Sequence, residues 1–329
     1  QLARFGMPAL LPATWLARTF STEAARSLFG GVALHGMRPL DRPLTSAIAM
    51  GLITAAHSAG WPVAAGGSRA IASALAAQLA EFGGKIETGV RVRRAADLVP
   101  ADVTLFDLAP AAVADILGDR LPDRTARSYR RFVRAPGVFK VDFAVADGVP
   151  WTAEPARRAG TVHVGGDLAE LIATERDTAA GRLPERPFVL VGQQYLADPQ
   201  RSDGDVHPIY SYAHVPYGYP GDATEAIIAQ LERFAPGFRD RIVATHITGP
   251  ADFERANPNY TGGDILTGAN TVRQLVLGPR AGQDPYRTGV TGSYLCSAAT
   301  PPGPGAHGMC GVHAADRALS DLRSGHIGR

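Results

Sequence analysis

The sequence predicts an α/β protein, α+β overall: one α/β domain split in sequence, a mostly antiparallel β domain inserted between its pieces, and a helical subdomain leading the chain. Three observations predict it. Helix-then-strand texture with short glycine links occupies 57–118. Alternating apolar and polar runs broken by Pro and Gly follow from about residue 130. A strand, a glycine-rich loop and a helix then return at 289–329.

Residues 1–56 are helical in pattern. Leu2, Phe5, Leu10 and Leu11 are interrupted by Pro8 and Pro12, and further helical segments run from Thr22 to Leu34 and from Leu44 to Ala59. Two readings compete for this region. In one it packs as a helical subdomain on its own core. In the other, Phe5, Leu10, Trp15, Leu16 and Phe20, with Arg4 and Arg18, form a face for peripheral membrane contact. Next, a Gly-Gly-Ser turn at Gly66 to Ser68 opens an Ala-rich helix that a glycine cap at Gly83-Gly84 ends. Lys85 to Arg93 alternates like a strand, as does Asp102 to Leu108.

The β-rich part contains "GVFKVDFAV", "GTVHVGG", "PFVLVGQQYL", "HPIYSYAHVP" and "RIVATHITGP", with one amphipathic helix expected at Ala223 to Phe234. The Pro/Gly-rich stretch 277–291 reads as a linker crossing between domains. At the C-terminal end a strand (Ser293 to Ala298) leads through a loop into a helix (Met309 to Leu322).

Composition narrows the function classes. The chain has 329 residues, 45% hydrophobic and 19% charged, as in a globular protein rather than a disordered or fibrous one. A net charge of +2 gives no electrostatic footprint for nucleic acid. Two cysteines, Cys296 and Cys310, make neither a disulfide framework nor a metal pair, which fits a reducing, cytoplasmic setting and small packing roles. No apolar run reaches the length of a membrane span. Gln1 opens inside a helical pattern, so these residues are expected to be part of a longer polypeptide.

Hydrolase and metal chemistry find no support. There is no G-x-S-x-G elbow and no H-E-x-x-H, and His307 and His313 are not spaced for one helical turn. Three glycine-rich turns remain: Gly66 to Ser68, "NPNYTGGDI" and "TPPGPGAHGM". Glycine permits positive φ and close backbone approach, and a helix start offers free amides to an anion or a polarised carbonyl. Gly303, Gly305 and Gly308 have the spacing G-x-G-x-x-G, but no room follows for the second strand and ribose-binding acid of a dinucleotide fingerprint.

The stretches "WPVAAGGSRAIASALAAQLAEFGGKIETGVRV", "FDLAPAAVADILGDRLP", "RFAPGFRDRIVA", "NPNYTGGDI" and "YLCSAATPPGPGAHGMCGVHAA" closely resemble the phytoene-desaturase-like (phytoene dehydrogenase-related) FAD-dependent oxidoreductases. The resemblance runs over nearly the whole chain. It implies an FAD/NAD(P)-binding α/β domain of glutathione-reductase type, incomplete because the N-terminal βαβ fingerprint has no counterpart here. The implied boundaries are 1–56, the helical part of a substrate domain; 57–118, an FAD-domain segment; 119–280, the β-rich substrate domain; and 281–329, the C-terminal FAD-domain segment.

By resemblance, the C-terminal glycine loop is a second motif that closes over the flavin. Ser297 and Ala298 would lie near the pyrophosphate and ribityl chain, and the amides of Gly308 and Met309 would face the pyrimidine side of the isoalloxazine. Val92 matches the strand position that meets adenine, and Gly262 and Gly263 match a turn approaching the flavin. The implied partners are a hydrophobic small-molecule substrate and the missing N-terminal segment. The implied reaction passes a hydride from substrate to flavin N5. No general base stands out; His214, Tyr260 and His307 are candidates for lining the site or for purely structural hydrogen bonding. Two alternatives stay open: a flavin-dependent isomerase or saturase of the same fold, and a non-catalytic fragment that holds a lipid or a partner.

Overall fold

A computed structural model describes residues 2–280 and 284–327, with side chains from Gly6 onward. In chain order the leading elements are α1 (Leu2–Leu10), α2 (Glu23–Ala33), α3 (Thr45–Ala59), α4 (Arg69–Glu81), β1 (Thr104–Phe106), α5 (Pro110–Leu117) and α6 (Asp123–Arg130). The β-rich stretch follows with β2 (Gly137–Ala146), β3 (Thr161–Val164), α7 (Leu168–Ala179), β4 (Val189–Gly192), β5 (Val206–Val215), α8 (Thr224–Glu232) and β6 (Ile242–Thr248). Finally come β7 (Ser293–Leu295) and α9 (Met309–Arg323). The fold is therefore mixed α/β, with one parallel and one antiparallel sheet.

The chain divides into two compact units, Gln1–Thr88 with Pro136–Asp252, and Gly89–Ala135 with Phe253–Arg329. The boundaries read from the sequence, 56/57, 118/119 and 280/281, lie elsewhere, and local hydrogen bonds account for the difference. The loop before α4 is tied to the first unit because Gly66 N donates to Asp198 Oδ2 at 3.0 Å and Arg201 donates to Ala64 O at 2.9 Å. Residues 253–280 belong to the second unit. There Ala109 N donates to Asn259 Oδ1 (2.8 Å), Ala135 N to Asp264 Oδ2 (3.1 Å) and Val133 N to Gln274 Oε1 (2.8 Å). The stretch 277–291 thus begins and ends inside the second unit rather than crossing between units; residues 281–283 lie outside the described residues.

In the first unit all five runs expected as strands form one antiparallel sheet, in the order β3-β4-β5-β2-β6. Period-two alternation on β2 places Phe139, Val141, Phe143 and Val145 on one face. They meet Ile209, Ala213 and Val215 of β5 and the buried side of α8, Ile227, Ile228 and Leu231. The β-rich part holds a second substantial helix besides α8, contrary to the single helix expected. α7 starts where Asp167 caps it, accepting from Glu170 N at 2.9 Å, and it buries Leu171, Thr174, Glu175 and Thr178. The signal was an acidic N-cap followed by Glu at the third helical position, hidden by the surrounding strand texture.

The leading helices form as expected. Thr22 caps α2 by accepting from Ala25 N at 3.2 Å. Gly30 and Gly31 let α2 approach closely, since a Cβ at Gly30 would stand 2.7 Å from Leu168 Cδ1. Of the proposed membrane face, Leu10, Trp15 and Arg18 are exposed while Leu16 and Phe20 are partly buried; the side chains of Arg4 and Phe5 lie outside the described residues. No helix among the described residues is long and apolar enough to cross a membrane.

Two features of α4 and its sequel depart from an ordinary α/β layer. The helix buries no residue, and Ile71, Leu75, Leu79 and Phe82 form an exposed stripe at helical spacing. The expected strand at Lys85 to Arg93 is irregular chain without a ladder, bent at Gly89 (φ +76°). A strand exists only by pairing, and no neighbouring strand stands beside it among the described residues.

In the second unit β1 and β7 pair in parallel, Thr104 with Ser293 and Phe106 with Leu295. They pack with Val113, Leu117 and Tyr129 of α5 and α6. The turn entering β7 requires glycine. Gly292 has φ +73°, and a Cβ there would stand 2.4 Å from the Asp102 carbonyl oxygen. Its own carbonyl accepts from Thr104 N at 2.8 Å. Gly292→Ala is expected to cost about 2 kcal/mol or more, from left-handed strain and a clash with backbone that cannot yield. Urea unfolding read by circular dichroism checks this, with Gly311→Ala, where a Cβ meets open space inside α9, as the reference.

Candidate functional site

Each unit carries a feature able to hold a ligand. The first unit has an open cleft of about 1340 Å³ between its leading helices and its sheet. Most of the lining is apolar, including Val32, Ile53, Trp61, Leu196 and Phe188. Two histidines, His35 after α2 and His163 on β3, give the apolar wall a polar point: their Nε2 atoms stand 2.9 Å apart and their rings meet edge-on at 4.7 Å. Burial, reinforced by His163 and then His214, holds His35 down at about 3; burial and then His214 hold His163 at about 4. Both rings are therefore neutral at neutral pH.

His214 does not line the cleft. It is fully buried, its Nδ1 2.6 Å from Glu175 Oε1, also fully buried. Phe188 stands between it and His163, with ring centroids 5.2 and 5.5 Å away. His214 Nε2 and Glu175 Oε2 have no hydrogen-bond partner. The His214 and Glu175 interaction joins β5 to α7, a structural tie with two unspent polar atoms. Sequence reasoning missed Glu175, His35 and His163 because His35 meets His163 across 128 positions and Glu175 meets His214 across 39.

All seven residues expected to bind the cofactor, Val92, Gly262, Gly263, Ser297, Ala298, Gly308 and Met309, lie in the second unit, together with Tyr260 and His307. The loop from β7 to α9 brings several of them together. Ser297 O accepts from both the amide (2.9 Å) and the hydroxyl (2.8 Å) of Thr300, and Cys310 Sγ contacts the carbonyls of Thr300 (3.3 Å) and Gly303 (3.4 Å). The buried Cys310 thus braces the loop. Cys296 is partly buried, and burial, then Asp107 and Cys310, push its thiol up to about 11.

Gly308 caps α9 at φ +65°, ψ 1°, and where a Cβ would stand there is open space. The first turn of α9 holds no acidic side chain, so no carboxylate of its own offsets the partial positive charge of its amides. Met309 differs from expectation in one respect: its N–H donates to His307 Nδ1 at 3.0 Å. His307 therefore turns back on its own loop. Ala298 borders a small hollow of about 30 Å³ with Phe132 and Gly303, and Val92 packs on the second unit's core.

The "NPNYTGGDI" turn is held by a clamp that the sequence did not disclose. Arg134 donates to Asn259 O (3.1 Å) and Thr261 Oγ1 (3.0 Å), and stands 3.8 Å from the buried Asp264. Asp264 accepts from the amides of Ala135 (3.1 Å) and Leu266 (3.0 Å); burial nevertheless raises its carboxyl above the usual range. Gly262 (φ +62°) and Gly263 (φ +80°) shape the turn, and the partly buried Tyr260 precedes it. No cluster of three or more metal-ligating side chains occurs among the described residues.

One unit built on an antiparallel sheet with an apolar cleft, and another with a parallel strand pair and a glycine loop opening a helix, make up a fold that this chain shares with solved oxidoreductases. Solved structures similar to this chain include an oxidoreductase from Methanosarcina mazei, 16% identical with a TM-score of 0.58 over 93% of this chain and 68% of that one. Putrescine oxidase bound to putrescine is 14% identical with a TM-score of 0.57, covering 98% and 69% of the two chains. Cyclohexylamine oxidase from Brevibacterium oxydans is 14% identical with a TM-score of 0.52, covering 97% and 69%. Among curated proteins, the pyridine nucleotide-disulfide oxidoreductase domain-containing protein 2 of Rattus norvegicus is 26% identical over 196 residues, 56% of this chain. The protein of that name from Mus musculus matches equally. The match spans about a third of the length of these curated relatives, 34%. No family model matches the chain.

Two outcomes follow from this chemistry. Glu175→Ala is expected to destabilise by about 3 kcal/mol or more, since it strands His214 in an apolar interior; the double change Glu175→Leu with His214→Phe is expected to cost less, as read by urea unfolding. Because His35 and His163 titrate lower when folded than when unfolded, the unfolded chain binds their protons first. The stability they permit is full above about pH 6.5 and is lost as pH falls through about 4 and 3. The stability gap between wild type and His163→Phe is therefore expected to shrink from pH 7 to pH 4, by at most about 1.4 kcal/mol per pH unit.

Proposed function

We propose that the chain belongs to an FAD-dependent oxidoreductase of the phytoene-desaturase-like kind, dehydrogenating a hydrophobic substrate. The observation that carries the reading is the β7-to-α9 glycine loop, with an unneutralised helix start, on a fold shared with oxidoreductases. Its donor set suits the electron-rich edge of a flavin. Amides of the first turn of α9 beyond Met309, with Gly308 admitting close approach, would hold that edge; Ser297, Ala298, Val92, Gly262 and Gly263 would take the remainder of the cofactor.

When bound, FAD supplies a two-electron acceptor at N5. The chain's own residues bind and exclude. The first unit's apolar cleft takes the substrate and sheds water from it. Cys310 and the Ser297 to Thr300 turn keep the loop in shape. The exposed stripe Ile71, Leu75, Leu79 and Phe82 supports a further element of the reading, an association with an α/β segment that carries the N-terminal fingerprint and covers α4.

The test is the visible absorption spectrum of the purified chain with FAD, alone and in the longer polypeptide bearing the fingerprint. A resolved, protein-perturbed flavin spectrum is expected, tightest in the longer polypeptide. Gly308→Val, which forces a β-branched residue to positive φ, is expected to weaken FAD binding about tenfold. A longer polypeptide that stays colourless with excess FAD overturns the reading.

A further inference from the structure

The cleft of the first unit says more about its occupant than that it is apolar. The rings of His35 and His163 share one hydrogen bond through Nε2, so one Nε2 carries the proton and the other accepts it. The two rings must then be opposite tautomers: one Nδ1 is a donor and the other an acceptor. Neither Nδ1 has a hydrogen-bond partner among the described residues, and neither is sealed from solvent. Both rings line the cleft, so its mostly apolar wall carries a neutral imidazole pair with one N–H and one lone pair unspent.

Charge at the cleft points the same way. Its one lining carboxylate, Asp142, is already taken by Lys140, whose ammonium also lies 4.8 Å over the Tyr210 ring. The lining cations are Arg158, paired with Glu154, and Arg201, held by Asp198. No free carboxylate therefore awaits a cationic guest among the lining residues.

We propose that the His35 and His163 pair recognises a single uncharged oxygen group, a hydroxyl or a carbonyl, on an apolar molecule, and that the cleft discriminates against protonated amines. Putrescine oxidase and cyclohexylamine oxidase share this fold, and their named compounds are amines; among the described residues no unpaired carboxylate lines the present cleft for an ammonium. A neutral imidazole pair suits a hydroxyl well, since that group both donates and accepts. A carbonyl takes only the N–H. The low titration of both rings keeps the pair uncharged at neutral pH, so it neither attracts an anion nor needs one. The proposal rests on the cleft being the substrate site of the proposed oxidoreductase, but binding itself needs no flavin.

The experiment is calorimetric titration of the chain without FAD, at pH 7, with 1-decanol, 2-decanone and decylammonium, each kept below its aggregation limit. The alcohol and the ketone are expected to bind about tenfold more tightly than the ammonium. His163→Phe and His35→Phe are each expected to erase about that factor for decanol while leaving decylammonium unchanged, with circular dichroism confirming the fold. Decylammonium binding as tightly as decanol overturns the proposal, as does absence of decanol binding. Folded variants that keep the alcohol preference also overturn it. The wild-type series decides even where a variant does not fold. A colourless protein in the FAD experiment that still prefers decanol would sink the flavin reading alone; a flavoprotein that prefers decylammonium would sink this one alone.

Discussion

The double pairing of β2 is the constraint on which the first unit depends. This ten-residue strand bonds to β5 along its whole length and to β6 on its other edge. Because successive side chains alternate, that one register assigns every facing residue to the apolar core or to the side toward the leading helices. Phe139, Val141, Phe143 and Val145 go to the core with α8. The same register carries through β5 and β4 to β3, where His163 stands opposite Leu190 and Leu190 opposite Tyr212. The polar point of the cleft is thus a consequence of sheet register and not of any local motif.

The second unit is organised differently. Its sheet is a single parallel pair three residues long, too small to position a loop alone. Side-chain hydrogen bonds and ion pairs do that instead. Arg134 and Asp264 fix the glycine turn after Tyr260, Cys310 braces the loop before α9, and the Arg287, Tyr294 and Asp321 network ties β7 to α9.

α4 shows the limits of pattern as a guide to packing. Its stripe of four apolar residues has the spacing of a core-facing helix, yet all four are exposed. Amphipathic spacing specifies which side seeks cover and says nothing about what provides it. The unpaired Lys85 to Arg93 segment makes the same point for strands: alternation prepares a ladder, and only a neighbour completes it.

Periodicity and punctuation by themselves determined the elements: five strands of the antiparallel sheet, β1, β7, the capped helices α2 and α4, and α9 after Gly308 were all legible. These are local properties, written in alternation, helical spacing, capping residues and glycines at positive φ. The resemblance added the cofactor reading, and the seven residues named for it lie in the second unit. What only the tertiary structure decided was which distant residues meet. His35 and His163 are 128 positions apart, His214 and Glu175 39, and Arg134 and Asp264 130, and no local rule links such pairs. His214, left open by the sequence between lining a site and structural hydrogen bonding, is a buried tie. Burial and partnership, which set the charge and availability of a side chain, are created by packing and exist nowhere in the order of residues.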